Sequence, residues 1–582
     1  MMTSDASRRT RLFGLALLLA TAVAVVPLQR TAAQQAGSSD LDRFHPVAGT
    51  QGMVATQEAE ATRIGLEVLQ HGGNAVDAAA TVAFALAVTL PQAGNLGGGG
   101  FMVVFDAGSG ETVAIDYREM AGAAAFRDMY LDENGEANPE KSRFSGLAVG
   151  VPGTLAGMAL ALERFGTISL AQALAPAIAL AEQGITVTPE LAQSLADAAE
   201  RLQRWPSSAE IFFKDGAPYQ AGATLVQADL AASMKQIAAE GPAAFYGGPI
   251  GRKIVAEVAR AGGNLTIDDL EAYEAVPREP VRGTYRGYEI VSMPPPSSGG
   301  VHIVEILNVL EGVPIAEFGH NSAATIHHMA EAMKYAYADR SEYLGDPDFV
   351  DVPIEALTSK AYAKAILARI DPGRATPAAE IRPGDLAAYE SPDTTHFSVV
   401  DKDGNAVANT YTINFGYGTG LVAAGTGILL NNELDDFSAK PGTPNAYGLV
   451  GGDANAVGPR KRPLSSMSPT LVLRDGRPFL VTGSPGGSHI ITTTLQVIMN
   501  VIDHGLNIAG ATAAPRIHHQ WLPDELRIEE GISPDTIALL EVKGHHVALK
   551  PVMGSTQSIM ITEDGLFGSS DPRRPGALTL GY

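Results

Sequence analysis

The sequence contains no cysteine among its 582 residues. Disulfide bonds, cysteine nucleophiles and thiolate metal sites are therefore excluded. Charged residues make up only 18% of the chain, and acidic residues outnumber basic ones by 64 to 41, which gives a formal charge of −23 at pH 7. Because so acidic a protein repels phosphate backbones, no nucleic-acid partner is expected. Apolar residues make up 45%, enough for a large core and incompatible with a disordered chain.

Long apolar runs are also scarce, and the one that stands out lies at the N-terminus. Arg8, Arg9 and Arg11 precede the apolar residues 12–26, and small residues follow at 31–33. This pattern predicts a secretory signal peptide over residues 1–33, with a retained N-terminal anchor as the alternative. Its removal takes away four arginines and one aspartate and changes the formal charge from −23 to −26. We therefore expect an exported protein, periplasmic or secreted, with no stable membrane span.

Helical and strand-like patterns are mixed along the rest of the chain. Helical periodicity predicts helices over about 57–70, 75–90, 322–343, 489–503 and 534–543, and three more between 150 and 206. Alternation predicts strands over 101–106, 397–400, 406–413, 470–474, 479–482 and 558–561. The texture becomes strand-rich after Thr394, which we interpret as a boundary within one fold. The fold class predicted is α/β and layered, with sheet packed on sheet and helices outside.

The stretch SPDTTHFSVVDKDGN, residues 391–405, joins a loop to a strand without any helix signal. Alternating apolar residues begin just after Thr395, and Asp403-Gly404 supplies a hairpin turn. A chain cut before Thr394 would free the amine of that residue. Thr394 would then carry both a hydroxyl nucleophile and its own base.

Common catalytic and metal-binding signatures are absent from the sequence. There is no G-x-S-x-G elbow, no phosphate-binding loop ending in Gly-Lys-Ser/Thr and no H-E-x-x-H motif. His327-His328 with Glu331 is interpreted as a solvated or packing cluster, because neighbouring histidines of one helix face different ways, and His518-His519 is interpreted in the same way. The stretch Asp401-Lys402-Asp403-Gly404 is explained by a hairpin turn instead of a calcium loop, because the ligand at the far end of such a loop is missing. No metal site and no cofactor are predicted.

Three polar stretches remain open on the residues alone. Pro485-Gly486-Gly487 lies between a predicted strand and a helix capped by Ser488, so it is either an oxyanion-binding turn or a plain tight turn. Ser465-Ser466 follows a basic cluster, but such pairs are usually loop. The acidic run at 433–436 is by itself most simply a solvated face.

Taken together, the chain resembles the γ-glutamyltranspeptidase (glutathione hydrolase) family over about residue 40 to the C-terminus. The matching phrases occur in family order: GNLGGGGFM, DYREMA, MPPPSSGG, TTHFSVVDKDGNAVANTYTIN, GILLNNELDDFSAKPG, NAYGLVGGDANAVGP, KRPLSSMSPT, VTGSPGGS and MGSTQSIM. The resemblance implies a four-layer αββα sandwich of the N-terminal nucleophile hydrolase type. It also implies self-cleavage between Asp393 and Thr394 into a large subunit, 34–393, and a small catalytic subunit, 394–582. The two would remain a heterodimer within one shared fold.

The resemblance also implies the chemistry. Thr394 would attack a γ-glutamyl amide, such as that of glutathione, and its α-amine would accept the proton. Thr412 would position the nucleophile, and Gly486 and Gly487 would donate to the oxyanion. The acyl group would pass to water or to an amino-acid or peptide acceptor.

Substrate recognition follows from the same resemblance. Arg118, Ser465 and Ser466 would hold the α-carboxylate of the glutamyl group. Its ammonium group would be held by a second set, Asn414, Glu433 and Asp436. Residues 441–452 match the lid loop of relatives that act on glutathione, with Tyr447 covering the pocket.

The sequence departs from familiar members at two places. The segment NFGYGTG, 414–420, shuffles the aromatic and glycine order and concerns the pocket beside Asn414. Asp393 stands where an amide is expected and concerns the rate of self-cleavage. Two other hypotheses are a β-lactam acylase for glutaryl side chains and a periplasmic solute-binding protein. The ammonium-binding set argues against the first, and the threonine after a cleavable loop argues against the second.

Overall fold

Two large antiparallel sheets form the centre of the molecule. The computed structural model describes residues 42–382, 394–440, 442, 445–446 and 448–582, so the predicted signal peptide, Asp393 and Tyr447 lie outside the described residues. Its strands are β1 (Val47–Gly49), β2 (Met53–Thr56), β3 (Gly99–Asp106), β4 (Glu111–Tyr117), β5 (Ile185–Thr186), β6 (Phe213–Lys214), β7 (Ala217–Pro218), β8 (Thr224–Leu225), β9 (Val276–Arg278), β10 (Val281–Tyr285), β11 (Tyr288–Ser292), β12 (Thr395–Val400), β13 (Ala406–Thr412), β14 (Val422–Ala423), β15 (Ile428–Leu429), β16 (Thr470–Arg474), β17 (Arg477–Thr482), β18 (Ile517–His518), β19 (Leu526–Ile528), β20 (Val547–Leu549), β21 (Gln557–Thr562), β22 (Gly565–Ser570) and β23 (Leu578–Gly581).

Helices cover the outer faces of these sheets. In chain order they are α1 (Ala59–Gln70), α2 (Ala75–Thr89), α3 (Pro139–Arg143), α4 (Thr154–Phe165), α5 (Leu170–Gln183), α6 (Pro189–Asp197), α7 (Ala199–Gln203), α8 (Pro206–Phe212), α9 (Ala228–Glu240), α10 (Ala243–Tyr246), α11 (Pro249–Arg260), α12 (Ile267–Glu271), α13 (Gly299–Glu311), α14 (Ile315–Phe318), α15 (Ala323–Tyr343), α16 (Ile354–Leu357), α17 (Lys360–Leu367), α18 (His489–Ile502), α19 (Ile508–Ala513) and α20 (Pro534–Val542). None of the described helices is both long and apolar enough to cross a membrane.

Each large sheet combines strands from both sides of residue 394. One has the order β1-β22-β21-β17-β16-β11-β10, and the other has the order β23-β2-β12-β13-β3-β4-β9. Every pairing within the two sheets is antiparallel. The expected boundary at Thr394 therefore falls inside one fold.

Side-chain alternation along the strands produces three apolar cores and hence four layers. In β3, Phe101 and Val103 face the other sheet, whereas Met102 and Val104 face the core beneath α1, α2 and α5. In β16, Leu471 faces the core between the sheets and Val472 faces the core under α13, α15 and α18. The predicted αββα arrangement is confirmed.

Helix α2 and the helical region 150–206 differ in how well the sequence predicts where their helices begin and end. Helix α2 is buried along its whole length, as its apolar surface indicates, and Asn74 with Asp77 forms a capping box at its start. The region 150–206 instead contains four helices, α4 to α7, because α6 ends at Asp197 and α7 begins at Ala199 with only one residue between them. The sequence prediction of three helices was wrong there.

A run of glycines, Gly97–Gly100, allows β3 to approach its neighbours unusually closely. A Cβ added at Gly98 would lie 2.1 Å from the carbonyl oxygen of Thr412, and one at Gly99 would lie 2.5 Å from that of Tyr117. These contacts are with backbone, which cannot move aside as a flexible side chain can. The run therefore fixes the end of β13, where Thr412 lies.

We expect Gly98→Ala to displace Thr412 and to lower the free energy of unfolding by about 1–3 kcal/mol or more, since 1–3 kcal/mol is the usual cost of overpacking. Gly108→Ala is the matched control, because the nearest atom to its added Cβ is 3.5 Å away. Thermal unfolding of both variants checks the prediction. Equal melting temperatures for the two variants would show that the close approach is not needed.

Candidate active site

Thr394 lies at the start of β12, on the wall of a buried cavity. The β12–β13 register pairs Thr395 with Tyr411, so that Thr394 reaches the level of Thr412 at the end of β13. The Thr394 hydroxyl donates to the Thr412 hydroxyl over 3.4 Å, and Thr412 Oγ1 also accepts from the backbone N–H of Asn414 at 2.8 Å. Thr394 is 7% exposed. The hairpin thus holds one hydroxyl group against another at the cavity.

The turn between β17 and α18 lies beside Thr394. Gly486 and Gly487 have φ angles of +132° and +54°, which favour glycine, and each lines a cavity together with Thr394. Their carbonyl groups accept bonds from His489 and Ile490 of α18, whereas their own N–H groups donate to no partner among the described residues. Buried N–H groups without a partner are suited to bind an oxyanion. The sequence predicted that Ser488 caps α18, but its hydroxyl makes no capping hydrogen bond to the helix. It donates to Gln520 instead.

The opposite wall of this cavity is a cluster of buried charges. Arg118 follows β4, and its guanidinium donates to Glu433 and, over 2.6 Å, to Asp436. Arg118 is fully buried and Glu433 is 1% exposed, so the acidic run is not the solvated face that its composition alone suggested. The space left between these side chains and Thr394 is small, about 20 Å³. The two groups of residues expected to bind opposite charges lie in contact with each other.

Glu119, which sequence reasoning missed, lies beneath Arg118. Its carboxyl is fully buried, lies 3.7 Å from the Arg118 guanidinium and has no hydrogen-bond partner among the described residues. A side chain at Gly99 would collide with it, because an added Cβ would lie 2.7 Å from Glu119 Oε2. The signal was present in the sequence: Glu119 directly follows Arg118 and faces the glycine run in the adjacent strand.

Burial dominates the protonation of this cluster. Burial raises the pKa of Glu119 well above its usual value, and Glu433 raises it further although Arg118 opposes the shift. Burial likewise raises the pKa of Glu433 to about 7 against the opposing effect of Arg118, and it raises the pKa of Asp436. Burial alone would lower the pKa of Arg118, but Glu433, Asp436 and Glu119 outweigh it and raise that pKa. Burial therefore favours the protonated form of Glu119 beside Arg118.

Two serine hydroxyl groups and a second arginine complete the wall. Ser465 and Ser466 line the cavity, and Ser465 Oγ accepts from the backbone N–H of Met467 at 3.1 Å. Arg340 of α15, also missed from the sequence, donates to Ser466 Oγ over 3.3 Å and is 4% exposed. It lies about 220 residues from Arg118 in the chain, and nothing in its helical pattern distinguishes it from an ordinary surface arginine.

Asn414 lines the same cavity and has a left-handed backbone conformation with φ of +71°. Its side-chain amide donates to the carbonyl of Asn432 over 2.9 Å, and Asn432 in turn accepts from the N–H of Phe415. These contacts hold the shuffled NFGYGTG segment against the acidic run. All the predicted substrate-binding residues and Thr394, Thr412 and Gly487 therefore line one cavity, whereas Gly486 lines the next.

Asp435 faces away from this cavity. It accepts from the Ser142 hydroxyl at 2.6 Å, from Arg143 Nε at 3.1 Å and from the N–H of Ala446 at 3.2 Å. Its neighbour Asp436 accepts from the Asn445 side chain at 3.1 Å. The acidic run thus anchors the segment expected to form the lid. Tyr447 lies outside the described residues, as does Asp393.

A second cavity, of about 250 Å³, begins on another side of Thr394. It is lined by Gly486, His489, Lys550 and Arg574 among others. Arg574 is fixed by bonds to the carbonyl groups of Gly554 and Val552 at 2.9 and 2.7 Å. Thr394 therefore adjoins both a small, densely charged cavity and a larger one whose lining includes the cations Lys550 and Arg574.

The histidine pairs His327-His328 and His518-His519 are buried. The prediction that they pack inside the protein is therefore confirmed, and the alternative that they are solvated is wrong. His327, Glu331 and His545 bring potential ligand atoms within 4.8 Å of one another. Each already has protein partners: His327 and His545 are joined at 2.8 Å, and Glu331 accepts from Lys334 at 2.8 Å. His518 is bonded to Thr492, and His519 to Asp524. Each of these histidines, and Glu331, thus packs against protein partners.

Comparisons with known proteins find one family model and several similar proteins. The family model for γ-glutamyltranspeptidase matches residues 61–580. The glutathione hydrolase proenzyme of Escherichia coli (strain K12) is 61% identical over 543 residues, which cover 93% of each chain. Among solved structures, a cephalosporin acylase from Bacillus halodurans matches with a TM-score of 0.81 at 28% identity, covering 94% of this chain and 98% of its own. The γ-glutamyltranspeptidase of Helicobacter pylori matches with a TM-score of 0.55 at 47% identity, covering 56% of this chain and 93% of its own.

The raised pKa of Glu433 predicts a pH dependence of stability. Because the folded protein holds this proton up to about pH 7 instead of the ordinary 4.5, the favourable contribution is lost as pH rises through that interval. Between pH 4.5 and 7.5, we expect the parent to lose on the order of 2–3 kcal/mol of unfolding free energy relative to Glu433→Gln, which cannot titrate. Melting temperatures across this range test the prediction, with the exposed Glu133→Gln as control. Parallel curves for the parent and Glu433→Gln would contradict it.

Proposed function

The chain belongs to the γ-glutamyltranspeptidase family, and from this premise we propose that Thr394 is the nucleophile and that the charged cavity beside it receives the glutamyl group. The activity is that of the family: the enzyme acts on γ-glutamyl compounds and is made as a precursor that processes itself. One observation carries the assignment of residues. Thr394 immediately precedes the central strand β12 and faces, across one cavity, the cluster of Arg118, Glu433 and Asp436.

We place the cut between Asp393 and Thr394. Cleavage there makes Thr394 the first residue of a 394–582 small subunit, and the large subunit would comprise 34–393 after signal-peptide removal. The two sheets support a lasting heterodimer, because β12 and β13 lie between strands that precede the cut. The predicted signal peptide further supports export, so that the enzyme would be periplasmic or secreted.

Acylation uses groups that the structure brings together. The Thr394 hydroxyl attacks the γ-carbonyl carbon while its free α-amine accepts the hydroxyl proton. The oxygen of the tetrahedral intermediate accepts hydrogen bonds from the N–H groups of Gly486 and Gly487. Collapse breaks the C–N bond, and the amine proton passes to the leaving nitrogen. Thr412 holds the hydroxyl of Thr394 in position. Attack by water or an acceptor amine on the ester then reverses these steps.

The glutamyl group has an ammonium and a carboxylate on one carbon, and the cavity offers groups of both signs. Glu433, Asp436 and Asn414 suit the ammonium, whereas Ser465 and Ser466 with Arg118 suit the carboxylate. In the free site, the Arg118 guanidinium pairs with both acids and so occupies the place of a cation. An incoming ammonium would take over part of this pairing. Recognition therefore places each new charge of the substrate beside groups of opposite sign that are already buried.

The second cavity supports the other half of the reaction. It adjoins both Thr394 and Gly486, and its lining includes His489, Lys550 and Arg574. Cationic side chains there suit the carboxylate of a departing peptide, such as cysteinylglycine from glutathione, or of an amino-acid or peptide acceptor. The donor and acceptor would thus approach Thr394 from different sides.

Substitution of Thr394 tests the assignment directly. We expect Thr394→Ala to remain one uncut chain without activity, because the same hydroxyl serves in both self-cleavage and turnover. Thr394→Ser should retain both at reduced rate. Denaturing gels, N-terminal sequencing of the small fragment and a γ-glutamyl anilide assay provide the measurements. Two fragments from Thr394→Ala would show that another protease makes the cut.

Asp436→Ala tests the recognition of the ammonium group. Loss of a charged hydrogen bond costs about 1.5–3 kcal/mol, so kcat/KM for γ-glutamyl anilide should fall by about 10- to 150-fold. Glutaryl anilide lacks the amine and should be a poor substrate that the variant cleaves as well as the parent does. Asp435→Ala is the matched control, since Asp435 contacts Ser142 and Arg143 instead of the cavity. If Asp436→Ala slows both anilides by the same factor, Asp436 does not recognise the ammonium.

A further inference from the structure

Arg340 carries a buried positive charge that no described carboxylate balances at close range. It extends from α15 into the cavity that contains Thr394, yet none of the described acidic groups lies within 4.0 Å of its guanidinium. Its hydrogen bonds go to two hydroxyl groups, Ser298 Oγ at 3.0 Å and Ser466 Oγ at 3.3 Å. Burial lowers its pKa, Asp436 and Tyr337 oppose the shift and Arg118 adds to it; the resulting pKa of about 10 leaves the group charged at neutral pH. A buried cation of this kind is costly unless an anion joins it.

Arg118 is in the opposite situation. Its guanidinium contacts Glu433 and Asp436, and Glu119 lies 3.7 Å away. Arg118 and Arg340 therefore face one cavity with Glu433 and Asp436. A zwitterionic glutamyl group adds one charge of each sign. Since Arg118 is shared between the two acids and the incoming carboxylate, Arg340 supplies further positive charge for that carboxylate.

Arg340 and the backbone together set the direction of the two serine hydroxyl groups. Ser466 Oγ accepts from Arg340, and Ser465 Oγ accepts from the N–H of Met467. Neither hydroxyl donates to a partner among the described residues. An oxygen that already accepts a hydrogen bond keeps its O–H for another acceptor. Both serines therefore retain a donor for an anion in the cavity.

The MPPPSSGG segment supplies the second contact. Arg340 Nε donates to Ser298 Oγ, and the Ser298 hydroxyl in turn donates to the carbonyl of Ser465 at 2.9 Å. The backbone N–H of Ser298 donates to the same carbonyl, also at 2.9 Å. Arg340 is thus tied to Ser466 directly and to Ser465 through Ser298. The MPPPSSGG segment, which takes no part in the proposed reaction steps, would thus connect Arg340 to the serine segment.

We propose that Arg340 is a positioning residue that determines specificity for the α-carboxylate: it orients the hydroxyl group of Ser466, holds the backbone of Ser465 through Ser298 and supplies positive charge that balances this carboxylate. The inference rests on the proposed function of the cavity. It assigns Arg340 to the carboxylate side of the cavity. Arg340 lies on α15, which contributes no other described residue to the lining of this cavity. A purely structural role for Arg340 would be to hold α15 against the serine segment.

Three anilides separate the two roles. γ-Glutamyl p-nitroanilide carries both the amine and the carboxylate, glutaryl p-nitroanilide lacks the amine, and 4-aminobutyryl p-nitroanilide lacks the carboxylate. For mature Arg340→Gln, we expect kcat/KM to fall roughly 10- to 100-fold for the first two, mainly through KM, and to stay within about twofold for the third. Arg340→Lys keeps the charge but loses the forked geometry and should lie between the two. Ser298→Ala should shift the same ratios in the same direction by less.

Lys334→Met is the matched control, because Lys334 is a buried cation of the same helix that bonds to Glu331 and to the carbonyl of Thr376. It should affect all three anilides alike. Equal losses on the three anilides for Arg340→Gln, or an unchanged rate on γ-glutamyl anilide, would overturn the proposal. If Arg340→Gln fails to mature, Arg340→Lys decides by the same ratios. A parent enzyme that fails to cleave γ-glutamyl anilide would overturn the proposed function itself, whereas an active parent with unchanged ratios would overturn only the role of Arg340.

Discussion

The antiparallel pairing of β12 with β13 is the constraint on which the site depends. It lies in the middle of a sheet, flanked by β2 and β3, so its register cannot slip without moving apolar side chains from one core to another. That register sets Thr394 level with Thr412, and Thr412 is itself limited by the glycine run of β3. A self-cleaving precursor needs its nucleophile held in place before the cut as well as after it. A central hairpin meets this requirement because its neighbours do not change when the chain is broken.

Buried charge is the second requirement, and the fold meets it by neutralising the cluster internally. Arg118, Glu433 and Asp436 are carried by segments far apart in the sequence and meet at the cavity. Around them, Asp435 fastens the acidic run to α3, and Asp116 pairs with Arg278 and Arg462 beneath Arg118. Several buried ion pairs therefore support the few charges that face the substrate. Such pairs contribute little net stability, but removing one partner is expensive, so the cavity tolerates few substitutions.

Much of this could be predicted from the sequence. Alternation placed β12, β13 and β16 to within a residue or two, and the resemblance gathered residues that line one cavity. Other features depend on contacts that no local pattern reports. Glu119 is distinguished only by the glycine of a paired strand, and Arg340 only by two hydroxyl groups contributed by other segments. The helices between 150 and 206 were miscounted because a one-residue break between α6 and α7 leaves helical periodicity nearly intact.

The likeness to a cephalosporin acylase sharpens what distinguishes the present site. A fold shared with a TM-score of 0.81 cannot by itself separate a glutaryl-type side chain from a glutamyl one, because the two acyl groups differ only by an amine. The difference must lie in the groups that meet this amine. Here Glu433 is buried and the Asp436 side chain is only 10% exposed, and both already hold the cationic guanidinium of Arg118. An acyl group without an amine would leave these acids dependent on Arg118 alone, whereas a glutamyl group contributes a second cation beside them. We therefore expect the electrostatics of the cavity to favour the glutamyl donor, whose ammonium would join Arg118 in balancing these two acids.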